Sequence, residues 1–283
     1  MDASRWRAIP ATLGAWTILG LASAVILVPI VFMAGASLMP PAEIMKMPYG
    51  WIPEEWKWAN YRQALAGNDG NWIYLRNIWN SLFVSLTIAT TTVVLSASVG
   101  YGLAKFEFKG KNLVFMGIMA TMMIPFETVM IPLYLIVVKL GMQDSYWGLI
   151  LPFLMNAFGV FLMRQYLITF PNEILDAARI DGCSEPRIFR DIVLKNSGPA
   201  AATLAILAFR QQWDNLLWPL LVAQREEMKT IPAYIVKFAA EKSADEGAMM
   251  AVAAIASIPV FALFFTLSKY FLGGAAVFSA GKE

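Results

Sequence analysis

Six stretches of this 283-residue chain, none shorter than 19 residues, carry at most two charged side chains each. They run from Ile9 to Ala42, Asn77 to Ala104, Asn112 to Val138, Ser145 to Met163, Asn196 to Gln224 and Gly247 to Ser268. A helix needs about 20 apolar residues to cross the hydrocarbon core of a bilayer, where backbone groups find no water to pair with. Runs of this length and number predict helices that cross a membrane six times. Composition agrees: hydrophobic residues make up 58% and charged residues 15%, against about 45–50% and about 25% in a soluble domain. The predicted fold class is all-α, a polytopic membrane protein of six transmembrane helices.

Two counts exclude whole classes of chemistry. The chain has no histidine and one cysteine, Cys183. Ser-His and Cys-His catalysis, His-ligated metals and an intrachain disulfide are excluded. A net charge of +2 gives no basic surplus for nucleic acid. Lys229-Thr230 and Lys242-Ser243 lack the glycines of a phosphate loop, so no nucleotide site is expected in this chain. The expectation is no enzyme, no metal and no cofactor. Arg5 and Arg7 precede the first run as they would in a secretory signal. That run far exceeds a signal core of about 7–15 residues, so it reads as an uncleaved span.

Lys and Arg in the short loops set the orientation. Lys105, Lys109 and Lys111 follow the second run, and Arg164, Arg179, Arg187, Arg190 and Lys195 follow the fourth. Both termini and these two loops are therefore expected on the cytoplasmic side, with stretches 38–76 and 225–246 outside. The outer loop holds Pro40, Pro41, Pro48 and Pro53 with Trp51, Trp56, Trp58 and Trp72. Such a loop suits the membrane surface, where Trp is favoured, and a docking surface is the alternative. The methionines of the third run suit irregular packing.

The segment 170–195 is longer than a connection between spans needs. Pro171 suits a first helical turn, and Ile174, Leu175, Ala178 and Ile180 fall near helical spacing. Gly182 can end that helix in a left-handed conformation. Ser184 suits an N-cap, with Pro186 in the first turn of a second helix carrying Ile188, Phe189 and Ile192. A helix–Gly–helix element outside the membrane must bury its apolar face on lipid or in a groove of another protein.

Asp176-Ala177-Ala178-x-x-Asp181-Gly182, followed by Ile188-Phe189 and Ile192-x-Leu194, resembles the EAA loop of binding-protein-dependent ABC importer permeases. Asn80-Ser81-Leu82, Ile131-Pro132-Leu133-Tyr134, Leu162-Met163-Arg164-Gln165-Tyr166 and Trp213-Asp214-Asn215-x-x-Trp218-Pro219-Leu220 are similar to the sugar-importer branch. The similarity covers the chain from about residue 75 to its end, and resembles most the smaller permease of maltose-type oligosaccharide transporters. Three positions depart from the pattern: Asp176 stands for the usual Glu, Lys195 for a common Pro, and Asp214 interrupts a Trp-Asn pair.

The resemblance implies one permease domain over 1–283, with the first span and outer loop over 1–76, the core over 77–273 and a cytoplasmic tail over 274–283. It implies the inner membrane of a prokaryote, a second permease in a heterodimer, an external solute-binding protein, and an ATPase dimer that would hold ATP and Mg. A cytoplasmic coupling helix between spans 4 and 5 would dock on the ATPase through Asp176, Ala177, Ala178, Asp181, Gly182, Arg187, Ile188 and Phe189. The transported solute would be a sugar or oligosaccharide.

Three charges fall inside the runs: Glu127, Arg210 and Asp214. Each costs roughly 2.5–3.5 kcal/mol at a bilayer centre, so such groups face a cavity or a partner. Glu127, Arg210, Gln211, Trp213, Asp214 and Asn215 are candidates for the substrate path, since sugar hydroxyls need donors and acceptors while ring faces stack on aromatics. Arg210 would suit an acidic sugar. Its i, i+4 neighbour Asp214 would instead neutralise it. An ion-coupled secondary transporter using Glu127 or Asp214 is the alternative function, one that leaves the 170–195 segment without a purpose.

Overall fold

The computed structural model describes residues 3–48, 50–67, 70–241 and 245–280, with side chains outside 3–13, 241 and 269–280. The described backbone is helical: α1 (Ala3–Ala36), α2 (Pro41–Ile44), α3 (Ala59–Ala66), α4 (Ile73–Lys105), α5 (Lys111–Thr121), α6 (Phe126–Lys139), α7 (Tyr146–Ile150) and α8 (Ala157–Ile168). It continues with α9 (Asn172–Ile180), α10 (Glu185–Ile188), α11 (Leu194–Asn196), α12 (Gly198–Trp213), α13 (Leu217–Val222), α14 (Ile231–Glu241) and α15 (Glu246–Ala280). The first, second and sixth apolar runs are α1, α4 and α15, each long and apolar enough to cross a bilayer.

The other runs are broken. The third bends by 93° between α5 and α6, and the fourth by 45° between the α7 end and α8. The fifth, expected as one span to Gln224, stops at Trp213 and resumes as α13. Pro125 starts α6 and Asn156 starts α8. These residues break a helix for backbone reasons that a count of apolar residues does not register. The stretch 225–246, expected to face outward, also contains a helix, α14, with Ile231, Ala233, Tyr234 and Phe238 buried. The tail expected over 274–283 is helical to Ala280, and its last three residues lie outside those described.

The chain divides into two compact units, residues 1–72 with 235–257 and residues 73–234 with 258–283. In the first unit, Ala36, Met39 and Ile44 pack with Phe32 and Met250. The buried Asn60 amide donates to the carbonyls of Ser37 at 3.1 Å and Met39 at 2.8 Å, pinning the chain where α1 ends. Exposed apolar side chains line α1 from Trp16 to Val31, as they do on a helix that faces lipid.

In the second unit, α4, α8 and α12 form the centre. Ala97, Met163, Ala200 and Leu204 are buried between them. Small residues set the spacing. A Cβ on Gly100 would lie 2.9 Å from the Arg164 nitrogen and from the Met163 Cβ, and one on Gly159 would lie 2.5 Å from the Ser96 hydroxyl oxygen. We expect Gly100→Val to force the α4–α8 crossing apart and destabilise the protein by about 1–3 kcal/mol. Gly102→Ala, where a Cβ meets nothing within 4 Å, should leave thermal unfolding in detergent unchanged.

Candidate functional site

The helix breaks meet. A cavity of about 510 Å³ is lined by Phe126 and Glu127 just after the first break, Phe153 and Asn156 at the second, and Asp214 and Asn215 at the third. Gln211 and Gln212 complete its polar wall. An adjoining depression of about 910 Å³ shares Phe126, Asn156, Gln211 and Asp214, and adds Arg210. Each break leaves backbone groups without helical partners, and nearby side chains take them up. Asn156 caps α8, its Oδ1 accepting from the Gly159 amide at 2.6 Å. Thr92 of α4 donates toward the carbonyls of Phe153 and Leu154 at 3.4 and 3.3 Å. The Trp218 indole donates to the Gly148 carbonyl at 3.0 Å. Asn215 joins the third break to α12, donating to Gln212 Oε1 at 3.2 Å.

Five of the six expected path residues fall in this region: Glu127, Arg210, Gln211, Asp214 and Asn215. Trp213 does not. It is 3% exposed, stacked on Phe209 with ring centroids 5.4 Å apart, because the last turn of α12 points it inward while Asp214 faces the opening. Arg210 and Asp214 pair at 3.3 Å, the i, i+4 contact open to them on one helix face. Asn156 and Gln212 were not singled out from the sequence. A lone amide in the otherwise apolar run 145–163 was the signal available for Asn156.

At the far end of α12 lies the 170–196 segment. Pro171 precedes α9, Gly182 turns the chain at φ +78°, and Ser184 with Pro186 starts α10, as the sequence predicts. A π-helical turn, Phe189–Val193, carries α10 into α11, and the chain then bends by 80° into α12. The apolar face is divided in a way the sequence did not show. Leu175, Ala178, Ile188 and Val193 are buried against Tyr101 and Leu167 of the same chain, with Phe189 packed beside them. Ala178, Ile188 and Phe189, expected on a partner, therefore face inward. Asp176, Ala177, Asp181, Gly182 and Arg187 face outward, together with Ile180 at 87% exposure.

Polar contacts fasten the segment. Tyr101 donates to Glu185 at 2.8 Å, and Lys105 donates to the Phe170 carbonyl and to Asn172. Arg179 bridges Asp176 at 2.8 Å and Glu185 at 2.7 Å across the Gly182 turn. The hydrogen bond from Arg179 holds the Glu185 carboxyl below the usual carboxylate range. The sequence reading assigned no contact to Arg179 or Glu185, because their pairing depends on the turn at Gly182.

Broken apolar helices around a cavity with one polar wall, joined to a loop outside the apolar runs, are an architecture suited to a membrane permease. The family model for the binding-protein-dependent transport system inner membrane component matches residues 95–274. The arabinooligosaccharides transport system permease protein AraQ of Bacillus subtilis is 34% identical over 253 residues, covering 89% of each chain. The sn-glycerol-3-phosphate transport system permease protein UgpE of Brucella abortus is 32% identical, covering 91% of this chain and 93% of its own. A solved bacterial ABC transporter, described as involved in the import of the acidic polysaccharide alginate, has a chain with the same fold. Its TM-score is 0.80 over 96% of this chain and 99% of its own, at 23% identity. The chain belongs to the binding-protein-dependent inner-membrane permease family. That membership leaves the ion-coupled alternative for Glu127 and Asp214 without support.

Because the Glu185 pKa is lowered in the folded loop, its clamp is fully formed above the ordinary carboxylate range and is lost as pH falls through the lowered value. Arg179→Ala should release it at neutral pH. Alkylation of Cys183, the one cysteine, should then quicken about two- to fivefold, the scale of a partly exposed ion pair. An unchanged rate would show that the clamp does not hold the turn.

Proposed function

We propose that this chain is one permease of an ATP-driven sugar or oligosaccharide importer, paired with a second permease and served by an ATPase dimer and an external solute-binding protein. Both termini and the 170–196 segment face the cytoplasm. The observation that carries the reading is the continuity of α12. This 16-residue helix, about 24 Å long at 1.5 Å per residue, begins at the elbow after α11 and ends at Asp214 and Asn215 on the cavity. A push on the outer face of α9 and α10 is passed through their packed core to that elbow. Tilting α12 then moves the third helix break relative to the first two. Alternating access follows if the cavity opens to one side in each position.

The outward set Asp176, Ala177, Ile180, Asp181, Gly182 and Arg187 is the docking surface for the ATPase, which supplies ATP and Mg. Ala178, Ile188 and Phe189 hold the lever to the chain. In the path, Glu127, Gln211, Asp214 and Asn215 offer donors and acceptors to hydroxyl groups, with Phe126 and Phe153 beside them for ring faces. The ion pair between Arg210 and Asp214 leaves no uncompensated cation there, which favours neutral sugars over acidic ones. The relatives named for arabinooligosaccharides and for glycerol phosphate support a polyhydroxylated solute.

Proline cannot adopt the positive φ of Gly182. Gly182→Pro is therefore expected to abolish co-purification of the ATPase, while Asn215→Ala keeps the assembly and lowers sugar uptake about tenfold, the loss of one charge-free but well-placed hydrogen-bonding group. Uptake of labelled neutral and uronic oligosaccharides by Arg210→Gln checks the substrate class. A loss confined to the uronic sugar would contradict the neutral assignment.

A further inference from the structure

A separate polar depression of about 430 Å³ opens where the turn between α4 and α5 meets α8, lined by Glu107, Phe108, Gly110, Lys111, Leu113 and Arg164 among others. Arg164 is rigidly placed, since its backbone lies at the Gly100 crossing. The ring of Phe115 takes one face of its guanidinium, with Cζ 4.1 Å from the centroid. Its Nε is buried with no hydrogen-bond partner. Lys111 is held by Glu107 at 3.0 Å, so these two charges cancel and Arg164 supplies the net charge of the depression. Helix α5 starts at Lys111 after Gly110, with no side-chain cap. The Lys111 amide donates to the Phe108 carbonyl at 3.3 Å, and the next two residues of this positive helix end, Asn112 and Leu113, line the same depression.

Charge alone would accept any anion. The rim selects among them. Leu113 and Val114, on the first turn of α5, are 71% and 48% exposed, Met116 follows at 59%, and no residue of α5 is buried. The depression thus joins an anion-accepting floor to an apolar lip that continues along an outward-facing helix. We propose that it is a headgroup site for an anionic phospholipid. The phosphodiester accepts from Arg164 and from the amides of Asn112 and Leu113, and an acyl chain lies along Leu113 and Met116. A soluble phosphate would occupy the floor and leave the lip bare. The cytoplasmic leaflet is the one rich in anionic lipid, and the orientation proposed above puts the site there. The geometry of the site does not depend on what the permease transports.

Native mass spectrometry of the full-length chain, co-purified with its partner subunits in detergent, tests this. The probes are phosphatidylglycerol, phosphatidylcholine of the same acyl chains, and inorganic phosphate. One phosphatidylglycerol should be retained with at least about tenfold preference over phosphatidylcholine, and Arg164→Gln should weaken it about tenfold while Arg164→Lys restores part of it. Leu113→Gln, at a position 71% exposed, should also weaken phosphatidylglycerol, and it serves if Arg164→Gln fails to assemble. Equal retention of both lipids would overturn the site. So would retention indifferent to both Arg164→Gln and Leu113→Gln, or phosphate binding as tight as the lipid.

Discussion

Backbone groups released at a broken helix have no water to pair with inside a bilayer, and this constraint organises the second unit of the permease. The third, fourth and fifth apolar runs all break. At the break in the fourth run, side chains take up what the helix gives away. Asn156 caps α8, Thr92 reaches the carbonyls at Phe153 and Leu154, and Trp218 anchors the Gly148 carbonyl. One of these groups, Asn156, also lines the cavity, beside Gln211, Asp214 and Asn215.

The close crossing of α4 with α8 has a comparable reach. Gly100 and Gly159 admit the two backbones to van der Waals contact, which sets Arg164 at one depth and Ser96 at another. Above this crossing the fold is fastened by Asn77 and Asn80 of α4, which donate to the carbonyls of Glu226, Glu227 and Lys229. Below it, Tyr101 and Lys105 of the same helix hold the 170–196 segment. One long helix thus grips both ends of the second unit.

Much of this was legible in the sequence. The apolar runs located α1, α4 and α15 and the regions of the three broken pairs, and Pro171, Gly182, Ser184 and Pro186 gave the two short helices of the loop, because caps and turns are local backbone chemistry. Arg210 and Asp214 pair as their spacing allows. What was not legible is the direction of side chains. Leu175 and Ile180 belong to the same apolar pattern, yet one is buried in this chain and the other stands out at 87% exposure. Trp213 belongs to the same cluster as Asn215, yet it turns away from the cavity. A pattern of apolar residues says that a face must be covered and is silent on what covers it.

By itself the sequence determined that the chain crosses a membrane and that a capped helix–Gly–helix element leaves the apolar runs. These follow from composition, run length and local backbone preference, each of which acts within a few residues. Tertiary structure alone decided that three helix breaks converge on one cavity, that Arg179 clamps Glu185 across the Gly182 turn, and that Arg164 meets Phe115 and the start of α5. Those contacts join residues far apart in the chain or across a turn, and their geometry is set by how closely α4, α8 and α12 pack.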